Sequence, residues 1–234
     1  MSNSSEIVPP ADSGHHELEI FAPVLPPARF VELPHRATVM VRDYVAGADA
    51  PTIVLLHGWT ATADLNWFRC YGALAEHYRV IAFDHRGHGT GLRSKKPFRL
   101  EDCADDAVDI AAALGVERFI PVGYSMGGPI AQLVWRRHPD NVIGLVLCAT
   151  APYFAGRREK RLGMVGLTGL AAVARVTPEQ TKTWLVEQLY LQRRTEKWEP
   201  WAMRETADHD WRAVLEAGKA IGRFSSTDWL GEVD

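Results

Sequence analysis

Short apolar runs alternating with stretches of helical spacing fill the middle of this chain. Thr52-Ile53-Val54-Leu55-Leu56 is nearly continuous in its apolar character, the pattern of a strand covered on both faces of a parallel sheet. Tyr78 to Phe83, Phe119 to Val122 and Val142 to Cys148 repeat that texture. Between these runs, a helix is expected around Leu65 to Glu76. Another is expected over Leu100 to Leu114, where Cys103, Ala107, Ile110, Ala111 and Leu114 share one face and Gly115 supplies a stop. Ile130, Leu133 and Val134 carry a third helix until His138-Pro139 breaks it. Upstream, Phe30 to Leu33 and Ala37 to Val41 alternate as an opening hairpin. Strands and helices in this order predict a mostly parallel α/β sheet with right-handed crossovers and flanking helices. Pro121 breaks the pattern: inside the predicted central strand it removes a ladder donor, so a local bulge or distortion is expected there.

The two ends read differently. Residues 1–28, rich in Ser, Pro and acidic residues, predict a flexible leader in which His15 and His16 sit without metal-site context. Residues 29–151 form the predicted α/β core. Residues 152–228 show no strand pattern and predict a helical cap over the sheet. Thr177-Pro178-Glu179-Gln180 is a helix start with a capping box, and Trp211, Val214, Leu215 and Ile221 make an apolar stripe on a later helix. Residues 229–234 read as the start of a further core segment that is cut short.

Composition narrows the partners. The chain has 234 residues, 47% hydrophobic and 24% charged, with a formal net charge of -3, which gives no electrostatic reason to bind nucleic acid or an anionic membrane surface. No run approaches a membrane span, and the N-terminus lacks the basic start and apolar stretch of a secretory signal. Cys70, Cys103 and Cys148 are odd in number and lack metal-ligand spacing, which predicts reduced thiols and a cytoplasmic setting.

Gly123-Tyr124-Ser125-Met126-Gly127-Gly128 matches G-x-S-x-G between a strand-like and a helix-like run, the strand-turn-helix context that presents a serine as nucleophile. Two further motifs end predicted strands: His57-Gly58-Trp59-Thr60 and Asp84-His85-Arg86-Gly87-His88-Gly89. Together the three resemble the α/β-hydrolase fold family, especially its small bacterial ester hydrolases, over roughly residues 30 to 230. The resemblance implies that Ser125 attacks the carbonyl of a small-molecule ester-like substrate. It implies further that the backbone N–H groups of Trp59 and Met126 bind the oxyanion. His57 and Gly58 would shape their turn, and Asp84 to Gly89 would be structural. No cofactor is implied, and no metal: His85 and His88 lack a third ligand. A serine nucleophile argues against the branches of the family that use an aspartate, such as haloalkane dehalogenases and epoxide hydrolases. Asp102, Asp105, Asp106 and Asp109 are expected at the start and outer face of one helix, where acids suit the helix dipole.

The family's triad runs Ser, then Asp or Glu, then His. After Ser125 only His138 and His209 remain. An eleven-residue helix places His138 about 16 Å from the serine, and His209 reads as a helix-start residue in the cap. No carboxylate follows the sixth strand in Cys148 to Pro152. The resemblance therefore implies a C-terminally truncated or split sequence, with the strand at Val142 to Cys148 left as an apolar edge prone to self-association. Two functions are expected to compete: an impaired serine esterase, and a non-catalytic binding protein of the same fold.

Overall fold

The computed structural model describes residues 23–33, 38–45, 47, 50–154 and 198–233. Six strands form one sheet: β1 (Ala28–Glu32), β2 (Thr38–Tyr44), β3 (Thr52–Leu56), β4 (Arg79–Phe83), β5 (Ile120–Tyr124) and β6 (Val146–Cys148), in spatial order β1-β2-β4-β3-β5-β6. β1 and β2 pair antiparallel, β2 joins β4 antiparallel, and β4, β3, β5 and β6 run parallel. The helices are α1 (Ala63–Trp67), α2 (Tyr71–Ala75), α3 (Leu100–Ala113), α4 (Gly127–Arg137), α5 (Glu199–Ala207) and α6 (Trp211–Arg223).

The period of two in the strands divides the core between the faces of the sheet. Val54, Leu56, Ile81 and Phe83 point to the face covered by α3, α4 and α6, where Ala107, Ile110, Ile130, Val134 and Ala217 join one apolar cluster. Ile53, Leu55, Val80 and Ala82 point the other way, onto Ala63, Trp67, Tyr71 and Ala75 of α1 and α2. β3 is buried at all five positions, as its unbroken apolar run requires. β2, nearer the margin, alternates instead: Val39, Val41 and Asp43 are buried while Thr38 and Tyr44 are exposed. Each fully buried Leu, Ile or Val contributes about 1.5–3 kcal/mol relative to exposure, so the central strands hold the two layers together.

The distortion expected at Pro121 falls on one side of β5. Against β3 the register is unbroken, Ile53 facing Ile120 and Val54 facing Pro121. Against β6, Phe119 bridges Val142 and the ladder resumes at Val122 with Val146, so three steps on the β5 side oppose four on the β6 side. Phe119 and Ser125 both donate their N–H toward the β6 side, to Asn141 and Cys148. By strand alternation the N–H that Pro121 lacks would point the same way. The extra residue sits where that donor is missing. For this reason β6 begins at Val146 rather than at Val142.

Much of the stretch read as a cap, including Thr177 to Gln180, lies outside the described residues, as do residues 1–22 of the leader. Of the expected acidic face on α3, Asp106 is a correction. It is buried, and Arg86 reaches it with two nitrogens and adds a longer contact to Asp102 at 3.4 Å. The α3 face that carries Asp106 is turned toward the loop after β4, and a buried carboxylate needs such a partner. Asp105 pairs with Arg137 and His138 of the neighbouring helix end, at 2.8 Å each.

Candidate active site

β5 ends at Tyr124 and α4 begins at Gly127, leaving Ser125 and Met126 to make the whole turn. Ser125 has φ 51°, in the left-handed region that side chains avoid. Its N–H donates to the Cys148 carbonyl at 3.0 Å, and its carbonyl accepts from Gly128 N–H at 3.0 Å and Thr150 Oγ1 at 2.8 Å. Three glycines make the turn sterically possible. A Cβ on Gly123 would lie 2.2 Å from the Gly127 carbonyl oxygen, one on Gly127 2.0 Å from the Leu56 carbonyl oxygen, and one on Gly128 2.1 Å from Thr150 Oγ1. The elbow is thus wedged between the ends of β3 and β6.

The loop after β3 lies beside it. Gly58 abuts the Tyr124 ring, where a Cβ would meet Cδ1 at 3.1 Å. Its N–H donates to Asn66 Oδ1 of α1 at 2.6 Å. The Trp59 indole N–H donates to the Val214 carbonyl of α6 at 2.6 Å, and Thr60 takes φ 60°. Among the described residues, neither the Trp59 nor the Met126 backbone N–H has a hydrogen-bond acceptor. These are the two groups that the motif reading assigns to an anionic oxygen, and the Met126 N–H stands at the N-terminal end of α4, where a helix favours negative charge.

The loop after β4 forms the third wall. Asp84 is buried and accepts from the N–H of Ala63 and of Thr90, each at 2.8 Å, and from Thr90 Oγ1 at 3.1 Å. Burial raises its pKa in spite of these bonds. A carboxylate spent on backbone donors holds two loops in place, which is a structural task.

These three loops stand at the carboxyl ends of parallel strands, and a family model described as the alpha/beta hydrolase fold matches residues 51–226. The chain belongs to the α/β-hydrolase fold family. Epoxide hydrolase B of Mycobacterium tuberculosis is 34% identical over 132 residues, which are 55% of this chain and 35% of that protein. A bifunctional esterase/perhydrolase of Acinetobacter calcoaceticus is 36% identical over 106 residues, 44% of this chain and 38% of that protein. The matched stretches therefore span well under half the length of these two relatives. Among solved structures, an esterase from Exiguobacterium antarcticum has the same fold with a TM-score of 0.72 at 21% identity, over 89% of this chain and 78% of that one.

In this α/β-hydrolase chain the histidines of the motifs face inward. His57 accepts the His85 N–H at Nε2 (2.8 Å), so Nδ1 carries the proton and donates to the Gly58 carbonyl at 2.8 Å. The His57 ring lies 4.2 Å from that of His85 and 5.2 Å from that of His88, and His88 lies 5.3 Å from His209. Burial lowers the pKa of His57 to about 4 and that of His209 to about 4, and holds His85 and His88 well below the usual imidazole value. All four are neutral at pH 7. Among the described residues no group of His, Cys, Asp or Glu is arranged to hold a metal ion.

Neither histidine that follows Ser125 in sequence is bonded to it. His138 caps α4 and bonds Asp105, while His209 Nδ1 accepts the Gly89 N–H at 2.7 Å, just before the Asp210 cap of α6. Among the described residues no hydrogen bond reaches Ser125 Oγ. Thr150 and Asn66 carry no sequence signal, and the apolar stripe that includes Val214 does not point to a contact with Trp59. They act through an ordinary hydroxyl, an amide and a backbone carbonyl.

Proposed function

We propose that the chain carries the nucleophile and oxyanion site of a serine hydrolase that cleaves small or medium carboxylic esters. The observation that carries this reading is Ser125 held at φ 51° on a strand-turn-helix elbow, between glycines that tolerate no Cβ. Ser125 Oγ would attack the ester carbonyl carbon, and the N–H groups of Trp59 and Met126 would receive the oxygen as it becomes negative. Collapse breaks the bond to the alcohol, which leaves with the serine proton, and an acyl-serine remains. Water then cleaves the acyl-serine, releasing the carboxylic acid and restoring the hydroxyl. A hydroxyl at the elbow yields an acyl ester by attack at a carbonyl, which suits esters better than the epoxide named for one relative. With no described imidazole on Ser125 Oγ, turnover of this chain is expected to be low, near the level of about 10³–10⁴ over water that binding and oxyanion contacts provide in triad-deleted serine proteases.

A second reading is a binding protein of the same fold that has no turnover. The unengaged Ser125 and the exposed β6 edge favour it. A fluorophosphonate probe separates the two: slow covalent labelling that disappears in Ser125→Ala supports the hydrolase, and no labelling of the folded chain even after prolonged exposure rejects it. Labelling that survives in His209→Ala would further place the base elsewhere than His209.

A further inference from the structure

We infer that α6 positions the oxyanion site through the side chain of Trp59, with Gly218 as the residue that makes the contact possible. This inference rests on the assignment of the Trp59 N–H to the oxyanion. The Trp59 indole meets α6 at two points one helical turn apart. Its N–H donates to the Val214 carbonyl at 2.6 Å, and its six-membered ring lies over the bare Cα of Gly218. A Cβ on Gly218 would stand 2.7 Å from Cζ2 and 3.2 Å from both Cε2 and Cη2 of that ring. Residues i and i+4 share a helix face, and a carbonyl has two lone pairs, so Val214 can accept the indole without giving up its helix bond. The space that Gly218 leaves is the space the indole fills.

The clamp matters because of where it acts. Trp59 stands between Gly58, tied to Asn66 Oδ1, and Thr60 at φ 60°. Its neighbour His57 is fixed at both ring nitrogens. The loop is therefore pinned by α1 through Asn66, by the loop after β4 through His85, by α6 through the indole, and by His209 through the Thr60 backbone. Only the third anchor is borne by the residue whose backbone N–H faces the site. A ring pushed off Gly218 drags that N–H with it, and displacement of a catalytic group by about 1 Å can cost up to about 100-fold in rate. α6 follows directly on His209, which bonds the Thr60 backbone, so a shift of this helix reaches the oxyanion loop through that contact and, at Trp59 itself, through the indole.

The test uses the full chain with Gly218→Ala, Trp59→Phe and the double variant. Melting temperature and far-UV circular dichroism check that each is folded. Two readouts are taken: the saturation kinetics of fluorophosphonate labelling at Ser125, and deuterium uptake of the segment from His57 to Thr62. Each single variant is expected to lower the maximal labelling rate by about 10- to 100-fold with little change in the half-saturating concentration, and to raise uptake in that segment alone. The double variant is expected to be no worse than Trp59→Phe, because a smaller ring relieves the clash that Gly218→Ala creates. Wild-type uptake in both single variants, or effects that simply add in the double, would overturn the clamp. If the wild-type chain does not label at all, the hydrolase reading fails, and deuterium uptake alone still decides whether α6 holds the loop.

Discussion

Ser125 at φ 51° holds a conformation that costs a residue with a side chain about 1–3 kcal/mol. Its surroundings must over-determine it, and they do so through glycine. Gly127 is pressed against the Leu56 carbonyl and Gly123 against the Gly127 carbonyl, contacts between backbones that cannot yield as a side chain can. Gly127→Ala is therefore expected to destabilise the fold by about 1–3 kcal/mol or more. Gly222→Ala makes the contrast. It lies in α6 with nothing within 4 Å of its would-be Cβ, and is expected to gain about 0.5–1 kcal/mol. Urea denaturation midpoints of the two variants check the pair. At this scale the sequence was most informative: the glycine spacing announced the elbow because only one backbone geometry needs it. The burial of Asp106 is not legible there, since helical spacing alone does not tell which acid on α3 faces Arg86.

The loops after β3 and β4 and the start of α6 are joined by buried imidazoles, and this makes the joint sensitive to acid. His57 and His209 have folded pKa values of about 4 against 6.5 for free imidazole. The unfolded chain takes up these protons first, so stability is fully present above pH 6.5 and declines as pH falls toward 4. Each buried imidazole removes about 1.4 kcal/mol per pH unit in that window. His85 and His88 act in the same direction. Asp84, whose pKa burial raises, acts in the opposite sense at the acid end. His209→Gln can keep an acceptor for the Gly89 N–H while removing one titration, and is expected to flatten the fall in urea midpoint between pH 6.5 and 4. An unchanged slope would contradict the role of His209. The strands themselves were legible because β3 and β4 are apolar on both faces. The late start of β6 was not: it depends on which neighbour the missing Pro121 donor would have faced, a matter of register. Nor could the sequence foretell that Trp59 and Val214, 155 positions apart, share a hydrogen bond.

Across the whole molecule, among the described residues β6 is the end strand of the sheet beyond β5. Ile143, Val146 and Leu147 around it are 51%, 43% and 38% exposed. An apolar strand with an open ladder is a template for pairing. Light scattering on the purified chain is expected to report mass above that of a monomer, with Val146→Lys shifting it toward the monomer. A monodisperse wild-type monomer would contradict this. The sheet and the family were readable because alternating patterns and three motifs agree on one sheet, while the one helix expected around Leu65 to Glu76 is two short ones, Ala63–Trp67 and Tyr71–Ala75. The arming of Ser125 was not, because a base is defined by its distance to the hydroxyl and not by its place in the chain. The hydroxyl of Ser125 is tested most directly by intact mass and peptide mapping of the full chain after prolonged exposure to a fluorophosphonate. A single adduct is expected, on Ser125, and is expected to be absent from Ser125→Ala. A folded chain that stays unmodified, or an adduct on another residue, would contradict the role of Ser125 as nucleophile.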